Sequence, residues 1–175
     1  MTQKAGVLAT TPDGGFEVRP ATRTELSALH AVQRTAFQRI ALTLGMDPAE
    51  LPPVAEELRH LEDLWDRGMV FLVAVDPLDE VVGTVRGELA EGTVHVGRLA
   101  VLSEYRQRGI GSALMNGLEA MFPHAERFEL FTGAEASVPI HLYEKLGYSV
   151  TGRDSSQGWD LVWLGKRGPG TRNHT

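Results

Sequence analysis

The residues best suited to chemistry in this chain are Arg106, Gln107, Arg108, Gly109, Ile110, Gly111 and Ser112. They stand between an apolar strand-like run, Arg98 to Leu102, and a helical pattern of Ile110, Leu114, Leu118 and Met121. A strand, a glycine turn and a helix in that order make an anion site. The first amides of a helix have no intrahelical acceptor and carry the positive end of its dipole, and glycines let a phosphate approach the backbone closely. The expectation is a cofactor that carries a pyrophosphate, cradled by backbone amides from Gln107 to Ser112, with the Arg106 and Arg108 side chains near its charge.

Other glycine motifs fit less well. A Walker A loop needs Gly-Lys followed by Ser or Thr, and Gly111 is followed directly by Ser112. A Rossmann turn needs a third glycine, where this chain has Leu114, and an acidic residue closing the next strand, where Glu129 and Leu130 lie inside one. Nucleotide triphosphatases and dehydrogenases are disfavoured.

Arg106, Gly109 and Gly111, preceded by the strand from Arg98 to Val101, resemble motif A of the GCN5-related N-acetyltransferases (GNAT superfamily). The later segment Ile140 to Tyr148, with Tyr143 on a helix ending in Gly147 and Tyr148, is similar to that family's second motif. The clear resemblance covers roughly residues 80 to 165, and the first 75 residues share only a strand-helix-helix pattern. It implies acetyl-coenzyme A as cosubstrate, with no metal, and backbone groups of Leu99, Ala100 and Val101 along the pantetheine arm. It further implies acetyl transfer to a primary amine by direct attack in a ternary complex. The alternative is a non-catalytic module of the same fold that senses acyl-coenzyme A or serves as an interaction partner.

Such a transfer needs a neutral amine, a polarised carbonyl and a proton donor for the departing thiolate. By the resemblance Tyr143 is that donor. The base is open among His95, Glu88, Glu129, His141 and water, because one residue of strand register decides which side chains face a site. Relatives often carry Asn seven residues before the tyrosine, where this chain has Ala136; Thr132, Glu135 and Ser137 are the nearby substitutes.

The elements that must position these groups follow from periodicity. Phe16 to Pro20 alternates as a strand, and Thr22 with Glu25 has the spacing of a capping box ahead of a helix that runs to Gly45. After Pro48, Pro52 and Pro53 a second helix is expected from Val54 to Gly68. Three strands then meander, Met69 to Val75, Val81 to Leu89 and Thr93 to Leu102. The helix after the glycine turn stops at Pro123, and the last elements are a strand at Arg127 to Phe131, a helix at Val138 to Leu146 and strands around 148–150 and 160–164. The expected class is α/β (α+β): a mixed, mostly antiparallel sheet of six to seven strands flanked by four helices, in the order β-α-α-β-β-β-α-β-α-β-β. Residues 1–14 are expected to be a flexible segment, 15–165 a single domain, and 166–175 a disordered basic tail.

Composition narrows the remaining choices. At 175 residues and 42% hydrophobic content, one substantial core is the default. The chain has no cysteine, so thiol nucleophiles and disulfides are excluded. Its six histidines lack paired ligand spacing, and no metal site is expected. Net charge is −6, and because Lys166, Arg167 and Arg172 stand in an acid-free tail, residues 1–165 hold 14 basic against 23 acidic residues. An acidic body argues against nucleic acid and suits a small-molecule or peptide amine. No apolar run spans a bilayer or resembles a signal peptide, so no membrane partner and a cytoplasmic location are expected. Dimerisation is common among relatives, and nothing in the sequence locates an interface for a homodimer. Residues 34–68, with Arg34, Arg39, Glu56, Glu57, Arg59, Glu62 and Asp63, are expected to wall the acceptor cleft, their charges reading mostly as solvated helix faces.

Overall fold

The structure is a computed structural model that describes residues 6–133, 137–156, 158 and 160–171. Its elements are β1 (Ala9–Thr10), β2 (Glu17–Pro20), α1 (Leu26–Thr43), α2 (Pro52–Ala55), α3 (Leu58–Asp66), β3 (Val70–Val75), β4 (Val81–Ala90), β5 (Thr93–Val101), α4 (Ile110–Ala120), β6 (Arg127–Gly133), α5 (Ser137–Lys145), β7 (Ser149–Asp154) and β8 (Leu161–Arg167). The strand order is β1-β2-β3-β4-β5-β6-β8-β7, an open and mostly antiparallel sheet. This is the expected class, with eight strands and five helices among the described residues in place of six to seven and four. Among the described residues no helix is long and apolar enough to cross a membrane.

The chain divides into two compact units, Met1–Arg86 with Arg98–Ala120, and Gly87–Gly97 with Met121–Thr175. In the first, β1 pairs antiparallel with β2, and β2 with β3. Leu26, Leu29 and Leu61 pack with Phe71, Val73 and Val75 into a core that fixes α1 and α3 on the strands. The opposite faces of β2 and β3 take α4, whose Ile110, Leu114, Met115 and Leu118 are buried. A Cβ on Gly117 would lie 2.9 Å from Val18 Cγ1, closer than real contacts, so this glycine lets α4 lie close against β2.

Two sequence expectations change in this unit. The segment expected to be flexible is anchored from Leu8 onward: Leu8 N–H donates to Val18 O at 2.8 Å, and buried Thr11 closes a turn through Asp13. The single helix expected over 54–68 is broken into α2 and α3, because Glu56 and Glu57 are extended, with ψ of 125° and 152°. The cause is Glu56, whose carbonyl accepts from His30 Nε2 at 2.6 Å and whose carboxylate turns inward onto arginines. A helical periodicity cannot register that pull.

In the second unit β6 and β8 pair antiparallel over seven positions, from Arg127 with Arg167 to Gly133 with Leu161. β7 joins β8 with a bulge at Val150/Gly152, and β5 pairs parallel with β6 over Thr93–His95 and Arg127–Glu129. Val94, Phe128, Leu130, Tyr143, Tyr148, Val162 and Leu164 are among its buried residues. The expected tail starts later than the sequence implied. Lys166 and Arg167 belong to β8, and the backbone N–H groups of Gly168 and Gly170 donate to Glu126 O and Ala125 O, each at 2.8 Å. Residues 172–175 lie outside the described residues.

Candidate functional site

The glycine turn leaves β5 through a short 3-10 turn at Ser103–Tyr105 and enters α4 at Ile110. Gln107 and Gly109 have φ of +61° and +80°, which turns the backbone back on itself ahead of the helix. Among the described residues no backbone or side-chain acceptor pairs with the amides of 107 to 112; the first paired amide is Ala113, on Gly109 O at 3.0 Å. Six consecutive N–H groups at the head of a helix form a concave donor set suited to a pyrophosphate. Gly109 needs its freedom for its dihedral. A Cβ there would also sit 3.2 Å from Pro12 Cδ, so the anchored 11–16 turn backs the loop.

The loop's arginines differ. Arg106 is exposed. The Arg108 guanidinium carbon lies 5.8 Å from the Phe16 ring centroid and 5.9 Å from that of Tyr105, two cation–π contacts that brace the loop. Leu99, Ala100 and Val101 continue β5 beyond the register that joins it to β6, which is confined to 93–95. These backbone groups, the six amides and Ser112 all lie in the first unit.

Sequence reading missed a second feature of the same unit. The Glu56 side chain is 6% exposed and sits among Gln33, Arg86 and Arg98. Arg86 grips it in bidentate fashion, Nη2 to Oε1 at 2.8 Å and Nη1 to Oε2 at 3.1 Å. Gln33 Nε2 donates to Oε2 at 2.7 Å and Arg98 Nε at 3.2 Å. Burial pushes the Glu56 carboxyl up, but the Arg86 and Gln33 hydrogen bonds and the two positive charges outweigh it and hold it at about 2. The expectation of a solvated charge is therefore wrong for Glu56, although Arg34, Glu57 and Arg59 are exposed as expected. A cavity of about 650 Å³ opens beside α2, lined by His30, Arg34, Gln38, Asp47, Glu56 and Glu57 among others. The spacing of Arg86 and Arg98 on consecutive strands is the only sequence signal of this cluster, and it does not name Glu56.

The proposed acid and bases lie in the second unit. Tyr143 on α5 is 7% exposed and packs edge-on against Tyr148, ring centroids 6.0 Å apart. Burial pushes its hydroxyl pKa up, so it stays protonated at neutral pH. Its hydroxyl has no hydrogen-bond partner among the described residues. His95 and Glu129 are register partners in the parallel β5–β6 pair and so share a face, with Glu129 Oε2 3.5 Å from Arg127 Nε. Glu88 and His141 are exposed. Ala136, Glu135 and the side chain of Ser137 lie outside the described residues, and Thr132 is half-buried on β6.

The sheet order defines an open, mostly antiparallel α/β class, and solved structures share it. The E. coli ribosomal-protein-S18-alanine N-acetyltransferase shares the fold, with a TM-score of 0.72 at 13% identity over 91% of this chain and 98% of that one. So does the PaiA N-acetyltransferase of Thermoplasma acidophilum, solved in complex with coenzyme A, with a TM-score of 0.70 at 19% identity over 87% and 98%. The catalytic subunit NAT3 of the N-terminal acetyltransferase B complex of Saccharomyces cerevisiae is 35% identical over 74 residues, 40% of this chain and 38% of that protein. The chain spans less than half the length of the curated relatives it matches.

Residues 66–150 match the family model described as "Acetyltransferase (GNAT) domain". That stretch, a little under half of the chain, carries the likeness to the GNAT acetyltransferases.

Proposed function

We propose that this protein is an N-acetyltransferase that moves an acetyl group from acetyl-coenzyme A to a primary amine by direct transfer. The observation that carries this reading is the run of six unpaired amides from Gln107 to Ser112 at the head of α4. The amides hold the pyrophosphate, with Arg106 adding charge. Backbone groups of Leu99, Ala100 and Val101 bind the pantetheine arm as an added strand would. Bound acetyl-coenzyme A supplies a thioester, whose carbonyl is open to attack by a neutral amine. Tyr143 keeps its proton at neutral pH and gives it to the departing sulfur. The neighbours His95 and Glu129 are the first candidates for removing the amine proton, directly or through water. The chain has no cysteine to carry the acetyl group as a thioester, and transfer takes place in a ternary complex.

Calorimetry with acetyl-coenzyme A tests the donor half, and saturable binding at or below millimolar ligand is expected; its absence refutes the reading. Thiol release from acetyl-coenzyme A against an amine panel tests the reaction. Tight binding with no release for any amine points instead to an acyl-coenzyme A sensor.

A further inference from the structure

Two guanidiniums converge on one carboxylate in the first unit, and their shares are unequal. Arg86 takes both oxygens of Glu56 through its fork, and Gln33, completely buried, takes a third position. Arg98 reaches Oε2 only through Nε. Among the described residues neither Nη of Arg98 has an acceptor, although the side chain is only 22% exposed. Glu56 is thus saturated, and the cluster keeps a net positive charge beside unpaired donors. Unpaired donors in a half-desolvated place are costly unless a partner arrives.

The backbone adds an independent observation. Arg98 has φ of +56° within β5, a conformation that is unfavourable for a long L side chain and persists where surroundings impose it. Here the strain accompanies a guanidinium whose Nε faces Glu56 while its planar donor end is left over. The natural complement of two parallel N–H donors is a planar carboxylate.

We propose that Arg98, oriented by Glu56 and Arg86, binds the carboxylate of the acceptor, so that the amine acetylated is a free amino acid rather than a polyamine. The inference rests on the acetyltransferase reading above. In that reading the strand next to Arg98 lies along the uncharged pantetheine, and the phosphates belong to residues 107–112; the anion for Arg98 must then come from the acceptor. The chain's net charge of −6 would favour cations at long range, but screening limits that field to about 8 Å at physiological salt, and the local charge decides.

Matched pairs test this: each common L-amino acid against its own amide, assayed by thiol release with saturating acetyl-coenzyme A. The amide amine is the less basic of the two, hence more often neutral, which biases the assay against the proposal. In the wild type, at least one amino acid is expected to exceed its amide in kcat/KM by about 10- to 100-fold, the worth of a charged hydrogen-bond pair. Arg98→Gln should raise KM for the amino acid by a similar factor, affect the amide several-fold less, and leave acetyl-coenzyme A affinity intact. Equal use of acids and amides, transfer confined to polyamines such as spermidine or to peptides, or an equal loss on both members of a pair overturns it. If Arg98→Gln fails to fold, seen as lost acetyl-coenzyme A binding, the wild-type pairs alone decide.

Calorimetry of the wild type with the same amino acids and no donor separates the two readings. Saturable heat, absent with the amide, supports the carboxylate site even if acetyl-coenzyme A does not bind. No heat with any amino acid, together with transfer to other amines, removes this inference and leaves the acetyltransferase reading standing.

Discussion

The glycine turn and the Glu56 cluster belong to the same compact unit and are built on opposite plans. The turn is made of backbone from one continuous stretch, 106 to 112, and its donors are N–H groups that any sequence of the right dihedrals would present. The cluster is made of side chains from α1, the α2–α3 break, β4 and β5, and each member is positioned by a different element. Backbone sites bind ligand with little effect on the fold, whereas buried side-chain charges bear first on stability. Mutations in the two places should therefore give opposite signatures.

The largest effect is expected from Glu56→Ala, which leaves Arg86 and Arg98 without their carboxylate. It should cost about 3–5 kcal/mol of unfolding free energy by urea denaturation, while the folded fraction binds acetyl-coenzyme A within about 3-fold of wild type. Gly109→Glu should do the reverse. It places a like charge in the cradle and a side chain at φ +80°, and should weaken acetyl-coenzyme A binding by at least ~100-fold, about 3 kcal/mol, for a stability loss of about 1–2 kcal/mol. If both variants lose both properties equally, the contrast between the two regions fails.

Acidity sharpens the contrast further. Glu56 is held at about 2 in the folded protein against an ordinary 4.5, so the unfolded chain binds its proton first. Its contribution is complete above pH 4.5 and is lost as pH falls from there toward 2, a difference of up to about 3 kcal/mol. Urea midpoints measured over that window should fall more steeply for wild type than for Glu56→Gln; parallel curves would show that the carboxylate is not coupled to its arginines. Outside both regions, Tyr143→Phe should lower kcat, by up to ~100-fold, with acetyl-coenzyme A affinity retained, and unchanged turnover removes Tyr143 from the acid role. The smallest change is Gln107→Gly, which relieves a left-handed residue in the turn and should add a few tenths to 1 kcal/mol of stability without altering Kd for the cofactor.

The same difference of plan explains what could be read from the sequence. The turn was legible because its glycines, its preceding strand and its following helix are contiguous, and Gly109 has the positive φ that its identity suggests. The meander of β3, β4 and β5 was legible from apolar runs, and the helix that carries Tyr143 from its closing Gly147. Glu56 was not, because two glutamates in a row after a proline stretch look like an exposed helix face, and only a partner 30 residues away at Arg86 turns one of them inward. The early anchoring of the N-terminal stretch escaped notice for a similar reason: Pro12 and Asp13 read as a turn, but the group that the turn supports lies near Gly109. Likewise Arg108 gave no sign in the sequence that Phe16 and Tyr105 would meet it.

The break between α2 and α3 also bears on how the chain folds. Arg86 and Arg98 come together when a hairpin closes, a microsecond event, but Glu56 can reach them only after α1 and α3 have docked on the strands. An interaction made that late is absent from an early folding nucleus. Its loss should show chiefly as faster unfolding, with refolding almost unchanged, so the buried carboxylate sets the lifetime of the native state more than the speed of reaching it.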